Sequence, residues 1–309
     1  MRVRTRRIAW ALSCLVLVAL LVFAAQQLDL ARVFVELRAA RPSWLLAATA
    51  CYALLLPLWA MQWHILSPRA TRNTLAQMLG VVAITSSTLN TTVLLLGEAT
   101  GVVLLVARIG LERSAALSVL AMDQLLVGLA KLTVLITAAW LLVLPPWMLQ
   151  GITGLSAGVA ALLVGTVVAA WHYDAIAARA DALLPPRASN ALRTMGRTLA
   201  PLRSPVRGGS ALALALAKKL VEIGAILCVQ QAFAVSVPIS ASVLILAALG
   251  IATMLPFAPA NIGVYEGVVA VVYTRLGIPA EQAVGMAMVQ HACYLAAVAL
   301  PGFGWLAAS

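Results

Sequence analysis

The segment Asn261-Ile262-Gly263-Val264-Tyr265-Glu266-Gly267-Val268-Val269 sets one carboxylate among glycines and apolar residues, and an earlier segment repeats this arrangement. The earlier segment reads Leu96-Gly97-Glu98-Ala99-Thr100-Gly101-Val102-Val103. In each case an arginine follows the carboxylate nine or ten residues later. Ionisable groups are expensive to keep at membrane depth and mark functional sites there. The first candidate site residues are therefore Glu98, Arg108, Glu266 and Arg275.

The composition predicts an all-α polytopic membrane protein. Of 309 residues, 63% are hydrophobic and 10% are charged, whereas about a quarter of a soluble domain is charged. A helix needs about 20 apolar residues to cross about 30 Å of hydrocarbon, and backbone groups in lipid must bond to each other, which favours helices. About six full spans are predicted: Ile8–Leu28, Trp44–Leu66, Ser114–Leu144, Trp147–Trp171, Ala211–Val235 and Ala280–Leu300.

Two regions do not fit full spans. Their apolar pieces Ala99–Ala107 and Val264–Tyr273 are too short to cross, and Pro256 and Pro259 interrupt the second region. Short, Gly/Pro-interrupted segments at corresponding places in two halves indicate a binding site made from broken helices. We therefore interpret residues 75–113 and 243–277 as re-entrant or broken hairpins.

The hairpins belong to two repeats, at about 75–144 and about 240–300, within a single integral membrane domain that covers residues 1–309. Following the loops through the membrane makes the repeats inverted. In a rival interpretation residues 75–96 form a full span and the repeats are parallel.

The positions of Arg and Lys predict the orientation, because short basic loops stay in the cytoplasm. The basic start, Met1–Arg7, and the Arg-rich loop 172–209 are expected there. This predicts a bacterial cytoplasmic membrane protein with both termini on the cytoplasmic side. The first helix is expected to remain as a membrane span and not to be removed as a signal peptide. Contact with anionic lipid explains the basic residues, so we do not expect a nucleic-acid partner.

The repeat extends into the next helix, where Asp123 and Gln124 align with Gln290 and His291. Polar residues at matched depth are candidates for a shared pathway; the alternative is that they only fix helix packing. Lys218 is interpreted as a snorkelling anchor on a neighbouring span.

Other chemistry is not indicated. The four cysteines fall within apolar spans and the three histidines lack ligand spacing. The sequence has no Walker or dinucleotide-binding glycine loop. We therefore expect no metal site, no cofactor and no enzyme activity.

The two segments, together with Leu255–Asn261 before the second, resemble the signature regions of the lysylphosphatidylglycerol synthase transmembrane family, also called flippase-like. The resemblance covers most of the chain. It implies that the chain flips a lipid, since in multidomain relatives this membrane part is thought to flip aminoacylated phosphatidylglycerol. A separate soluble domain there performs the aminoacyl transfer. Other relatives are associated with lipid-linked sugar or hopanoid pathways.

The chain departs from the family pattern at three places. Where relatives read Pro-Gly-Gly-x-Gly-x-x-Glu, a glycine is replaced by Asn261. Where relatives commonly have Glu-Arg, the chain has Asp123-Gln124, and it has His291 in place of a frequent Arg. The loss of two arginines weakens any expectation of strong phosphate clamping at these depths.

The resulting hypothesis is translocation of an amphipathic lipid across the cytoplasmic membrane. The glycines expected to permit tight hairpin turns are Gly97, Gly101, Gly263 and Gly267. Helix starts beside them are expected to offer free N–H groups to a phosphate. The arginines are expected to dock a headgroup, and the glutamates to bond its amine or hydroxyl. The alternative is that each Glu–Arg set is a salt bridge that braces its hairpin.

Two other functions remain open at this point. One is a proton-coupled secondary transporter of a small polar solute, using Glu98, Glu266 or His291. The other is a non-transporting membrane partner of a lipid- or glycan-assembly enzyme.

Overall fold

A computed structural model describes residues 29–68, 74–91, 94–141, 205–253 and 259–307, with isolated positions between 153 and 161. Throughout these ranges every regular element is a helix, which confirms the all-α class there. The helices are α1 Leu30–Ala39, α2 Pro42–Ala53, α3 Leu55–Leu66, α4 Leu75–Thr91, α5 Leu94–Ala107, α6 Arg113–Leu141, α7 Pro205–Ala232, α8 Ile239–Ala252, α9 Val264–Arg275, α10 Ala280–Val298 and α11 Leu300–Ala307. A 3-10 turn, Pro259–Asn261, precedes α9.

Three of the helical stretches described are long and apolar enough to cross a membrane: Pro42–Leu66, Arg113–Leu141 and Ala280–Ala307. The first consists of α2 and α3, separated at Leu54. Pro57 accounts for this break, because proline has no N–H to bond to the carbonyl four residues earlier and its ring crowds that group.

The other predicted spans have different outcomes. Ile8–Leu28 and Trp147–Trp171 lie outside the described residues, apart from isolated positions in the second. So does most of the basic loop 172–209, although its last residues form the start of α7. Helix α7 has 28 residues, but it carries four charged side chains and is not among the three apolar stretches. The count of six full spans therefore stays a prediction.

Helices α5 and α9 are the short arms that the sequence predicts. They contain 14 and 12 residues, so they extend about 21 Å and about 18 Å and cannot cross about 30 Å of hydrocarbon. After each, the chain turns at a glycine with positive φ, Gly110 at 76° and Gly277 at 88°. This left-handed conformation ends helices and is easiest for glycine. The re-entrant path and the inverted relation of the repeats stay predictions.

The turn before α9 has an unusual backbone. Ala260 and Asn261 have φ of 54° and 53°, and Gly263 has φ of 85°. Positive φ is unfavourable for alanine and better tolerated by asparagine. Asn261 stands where the pattern of the family that the chain resembles has a glycine, so the chain keeps a glycine-like backbone at that position without the glycine.

The chain divides into two compact units. Unit 1 contains residues 1–53, 86–97 and 221–309, and unit 2 contains residues 54–85 and 98–220. In unit 1, α10 packs against α1, α2, α9 and α11, and α8 packs against α9. In unit 2, α3 packs against α6. Of the two short-arm carboxylates, Glu266 belongs to unit 1 and Glu98 to unit 2.

Candidate functional site

In unit 1 Glu266 connects the turn before α9 to helix α10. One carboxylate oxygen accepts the backbone N–H of Gly263 at 2.6 Å. The other oxygen lies 2.7 Å from Nδ1 of His291. The His291 side chain is 3% exposed and that of Glu266 is 24% exposed. The N–H groups at this helix start were expected to be free for a phosphate, and for Gly263 this expectation is wrong. In this state the Glu266 carboxylate accepts that N–H and caps the start of the helix, as in half of a capping box.

The residues beside this pair also contact each other. The Gln290 side-chain amide donates to the hydroxyl of Tyr265 at 2.8 Å. The rings of Tyr265 and His291 stack with centroids 4.2 Å apart. Two adjacent residues of α9 thus bind two adjacent residues of α10, and the imidazole is held by both stacking and a hydrogen bond.

In unit 2 Glu98 makes the corresponding contact. The Gln124 side-chain amide donates to Glu98 Oε1 at 2.6 Å. Gln124 lies on the exposed side of α6. The aligned positions of the two repeats, Gln124 and His291, thus each bind the carboxylate of the preceding short helix.

Asp123, next to Gln124, points into the interior of unit 2. Asp123 is only 3% exposed to solvent. Oδ2 accepts the indole N–H of Trp59 at 3.0 Å, and Oδ1 accepts the Gln62 amide at 3.0 Å. The ammonium of Lys218 lies 3.8 Å from Oδ1 and 5.6 Å from the centroid of the Trp59 ring. A buried charge requires a paired and hydrogen-bonded environment, and these partners supply one.

Lys218 corrects the sequence interpretation of a snorkelling anchor. The residue is 8% exposed, and its charge faces Asp123 rather than a helix end. Arg207, expected in the basic loop, belongs to the first turn of α7. Its Nη2 donates to the carbonyls of Ile65 and Ser67 at 2.5 and 2.7 Å. A cation there stabilises the carboxyl end of α3.

The structure contradicts a Glu–Arg salt bridge within α9. Residues nine positions apart on a helix lie on opposite faces and about 14 Å apart along the axis. Glu266 and Arg275 have this separation, and Arg275 is exposed at the end of α9. Arg108 is exposed just after α5, about 15 Å along the axis from Glu98, and Glu98 bonds Gln124 instead. Neither arginine meets the carboxylate of its own hairpin.

The predicted hairpin glycines have different roles. A Cβ on Gly97 would lie 2.7 Å from Cα of Leu89, so this glycine permits close approach of two backbones. A Cβ on Gly101 would lie 3.1 Å from the Trp63 ring. Gly263 adopts positive φ. Gly267 lies inside α9 with nothing within 4 Å of an added Cβ, so its expected turn role is wrong.

Several buried polar atoms in the described part of the chain have no hydrogen-bond partner. They are Oε1 of Gln62, Nε1 of Trp63, Oδ1 of Asn261 and Oε1 of Gln290. Buried polar groups are normally satisfied. These four atoms are therefore exceptions among the buried polar groups of the described residues. As for metals, no group of three or more His, Cys, Asp or Glu side chains lies together within the ranges described.

Sequence reasoning missed Trp59 and Gln62 and gave Lys218 only an anchoring role. The polar Gln62 and the charged Lys218 inside apolar stretches were visible signals, since each is costly in lipid. Their convergence was not visible, because they are 61 to 95 residues from Asp123 along the chain.

The profile of a family described as Lysylphosphatidylglycerol synthase TM region matches residues 10–302. This range is nearly the whole chain and includes every candidate site residue. Neither the comparison with curated proteins nor the comparison with solved structures finds a match.

Proposed function

Because the chain belongs to the lysylphosphatidylglycerol synthase transmembrane family, we propose that this membrane protein translocates an amphipathic lipid between the leaflets of its bilayer. The lipid is a phospholipid or carries a lipid-linked headgroup. The proposal assigns no covalent step, metal or cofactor to the chain.

One observation carries the proposal: both short helices direct a carboxylate at the next long helix. Glu98 bonds the Gln124 amide and Glu266 bonds the His291 imidazole. A headgroup amine or hydroxyl has the same donor chemistry as these partners and can replace them at the carboxylate. The contacts are therefore suited to alternate between a closed state and a lipid-bound state.

The short helices support the same function. Helices α5 and α9 are too short to cross the hydrocarbon layer, which favours a re-entrant path, and irregular backbone at membrane depth survives only against protein or a watery cavity. Such a cavity is what a polar headgroup needs to cross an apolar layer. The exposed Arg108 and Arg275 at the ends of these helices supply cations for the first docking of a phosphate.

The test is a leaflet-exchange assay with purified protein in liposomes. Fluorescent phospholipids with anionic and zwitterionic headgroups are exposed to a membrane-impermeant quencher, and the rate is compared with protein-free vesicles. We expect faster exchange with the wild-type protein, and loss of at least about tenfold for Glu98→Gln and Glu266→Gln, because the amide removes the charge at nearly constant size. The matched controls Glu112→Gln and Glu281→Gln change carboxylates that are not among the proposed headgroup ligands, and retain the rate.

Absence of exchange for every headgroup would reject translocation. The solute-transporter and scaffold functions would then take its place. Exchange that survives both glutamate changes would keep the function but move the site away from the short helices.

A further inference from the structure

Two cysteine thiols meet in unit 1, although they lie far apart in the sequence. Cys51 belongs to α2, and Cys228 follows 177 positions later on α7. A side-chain hydrogen bond joins the two thiols, and neither sulfur is part of a disulfide. We propose that Cys51 and Cys228 are a modification site, at which an organic hydroperoxide oxidises the two thiols to a reversible disulfide between α2 and α7.

The backbone places the end of α7 beside the start of α2. The N–H of Arg41, just before α2, donates to the carbonyl of Ala232, the last residue of α7, at 2.9 Å. Cys228 lies about one helical turn before Ala232. Two cysteines cannot be bridged when their side chains point apart, whereas the thiol–thiol hydrogen bond has these side chains pointing at each other. The disulfide therefore follows from the packing that already exists.

The surroundings select the kind of oxidant. Cys51 lies in Pro42–Leu66, a stretch that is long and apolar enough to cross a membrane. Both thiols of the pair are half-buried, whereas the thiol of Cys293 is buried. An oxidant that reaches the pair from an apolar layer must itself dissolve in lipid, and organic hydroperoxides meet this condition.

The chemistry consumes one hydroperoxide for each disulfide. One sulfur loses its proton and attacks the O–O bond, which breaks to give a sulfenic acid and, with that proton, an alcohol. The second sulfur then attacks the sulfenic sulfur, so that the S–S bond forms, the S–O bond breaks and water leaves. The two sulfurs are oxidised and the two peroxide oxygens are reduced. Because the neighbouring thiol is already in contact, the second step is intramolecular and outruns further oxidation.

The disulfide would restrain a helix that contacts the candidate site of unit 1. Tyr52, the residue after Cys51, is hydrogen-bonded to the hydroxyl of Tyr265. Its ring also meets the ring of Tyr294 edge-on, with centroids 5.5 Å apart. Tyr265 in turn stacks on His291. We therefore expect oxidation to slow lipid exchange; this effect rests on the proposed function, whereas the disulfide itself does not.

The test locates the bond by mass spectrometry. Purified protein in detergent is treated with cumene hydroperoxide, the remaining thiols are blocked with a maleimide in denaturant, and proteolytic peptides are compared with and without dithiothreitol. The variants are Cys51→Ser and Cys228→Ser. Cys293→Ser is the matched control, because the Cys293 thiol contacts the carbonyl of Leu45 at 3.8 Å and not another thiol of the pair.

We expect the peptides that contain Cys51 and Cys228 to be joined in the oxidised wild-type protein and to be separated by dithiothreitol. Two of the four thiols are consumed at every protein concentration, because the bond lies within one chain. Cys293→Ser forms the same bond, whereas Cys51→Ser and Cys228→Ser form none. In liposomes, oxidation lowers the rate of leaflet exchange by the wild-type protein and leaves the rate of Cys51→Ser unchanged.

Survival of both thiols in the treated wild-type protein would overturn the inference, and so would joined peptides that contain Cys293 or that link two chains. The wild-type peptide map decides this question even if a variant does not fold. A disulfide with unchanged leaflet exchange would keep the modification site and reject its effect on transport. A disulfide in a protein that exchanges no lipid in either state would reject the proposed function alone.

Discussion

The two short helices carry equivalent carboxylates but differ in what surrounds them. Before Glu266 stands Tyr265, which stacks on His291 and bonds Gln290. Before Glu98 stands a glycine, which offers no side chain to the residue aligned with Gln290. That residue, Asp123, bonds α3 and α7 side chains instead.

The difference shows that the aligned polar residues fix helix packing in unit 1, whereas in unit 2 one of them holds a buried charge. In unit 1 both polar residues of the long helix are used to fix the short helix. In unit 2 only Gln124 has this role, and its neighbour carries a buried charge whose partners lie on other helices. Aligned positions in a repeat therefore need not have one function.

The largest effect is expected from removing the aligned polar residues. Asp123→Ala breaks the buried ion pair with the Lys218 ammonium, which costs about 3–5 kcal/mol. Gln290→Ala removes a neutral hydrogen bond to Tyr265 and costs about 1–3 kcal/mol. Denaturant titration in mixed micelles measures both free energies of unfolding. Equal losses of unfolding free energy would show that the buried charge of Asp123 contributes no more to stability than the neutral hydrogen bond of Gln290.

A smaller effect should follow from making the two glutamate contacts alike. His291→Gln keeps a donor for Glu266, as Gln124 does for Glu98, and loses the ring contacts with Tyr265 and Tyr294, about 1 kcal/mol. His291→Leu also leaves the half-buried carboxylate without this donor and costs about 1–3 kcal/mol more. Thermal unfolding of the two variants in one detergent gives the difference. If His291→Gln is as unstable as His291→Leu, the imidazole itself is required.

The last comparison, which includes the smallest single effect, concerns the glycines next to the two carboxylates. Gly97→Ala forces a Cβ to within 2.7 Å of the Leu89 backbone and costs about 1–3 kcal/mol through the required shift. Gly267→Ala meets nothing within 4 Å and stabilises α9 by about 0.5–1 kcal/mol through its helix propensity. We expect the unfolding temperature to fall for Gly97→Ala and to rise for Gly267→Ala. A lower unfolding temperature for both variants would contradict the different roles of the two glycines.

Much of the fold was predictable, because it depends on interactions between residues that are close together in the sequence. Apolar runs predicted the three stretches that are long and apolar enough to cross a membrane, and the Gly/Pro interruptions predicted the short helices α5 and α9. The Arg-x-Gly pattern after each, Arg108 to Gly110 and Arg275 to Gly277, coincides with left-handed helix ends. These features depend on residues close together in the chain.

The site was only partly predictable, because its contacts join distant residues. Glu98, Glu266, Asp123 and His291 were recognised as polar groups in apolar surroundings. Their partners within the protein were not predicted. The one pairing considered, a salt bridge between each Glu and the following Arg, is excluded because the helix turns residues at that spacing apart. The partners of Asp123 depend on which helices meet in unit 2, and hydrophobic periodicity carries no such information.

The Asp123–Lys218 contact also has a consequence for biosynthesis. A chain is made from its amino terminus, and 95 residues separate the carboxylate from its ammonium. At about 5–20 residues per second, the ribosome needs roughly 5–20 s to reach the lysine. Trp59 and Gln62 are made before Asp123 and can shelter the carboxylate during this interval. The order of these residues along the chain thus lets neutral donors receive the acidic group before its counter-ion exists.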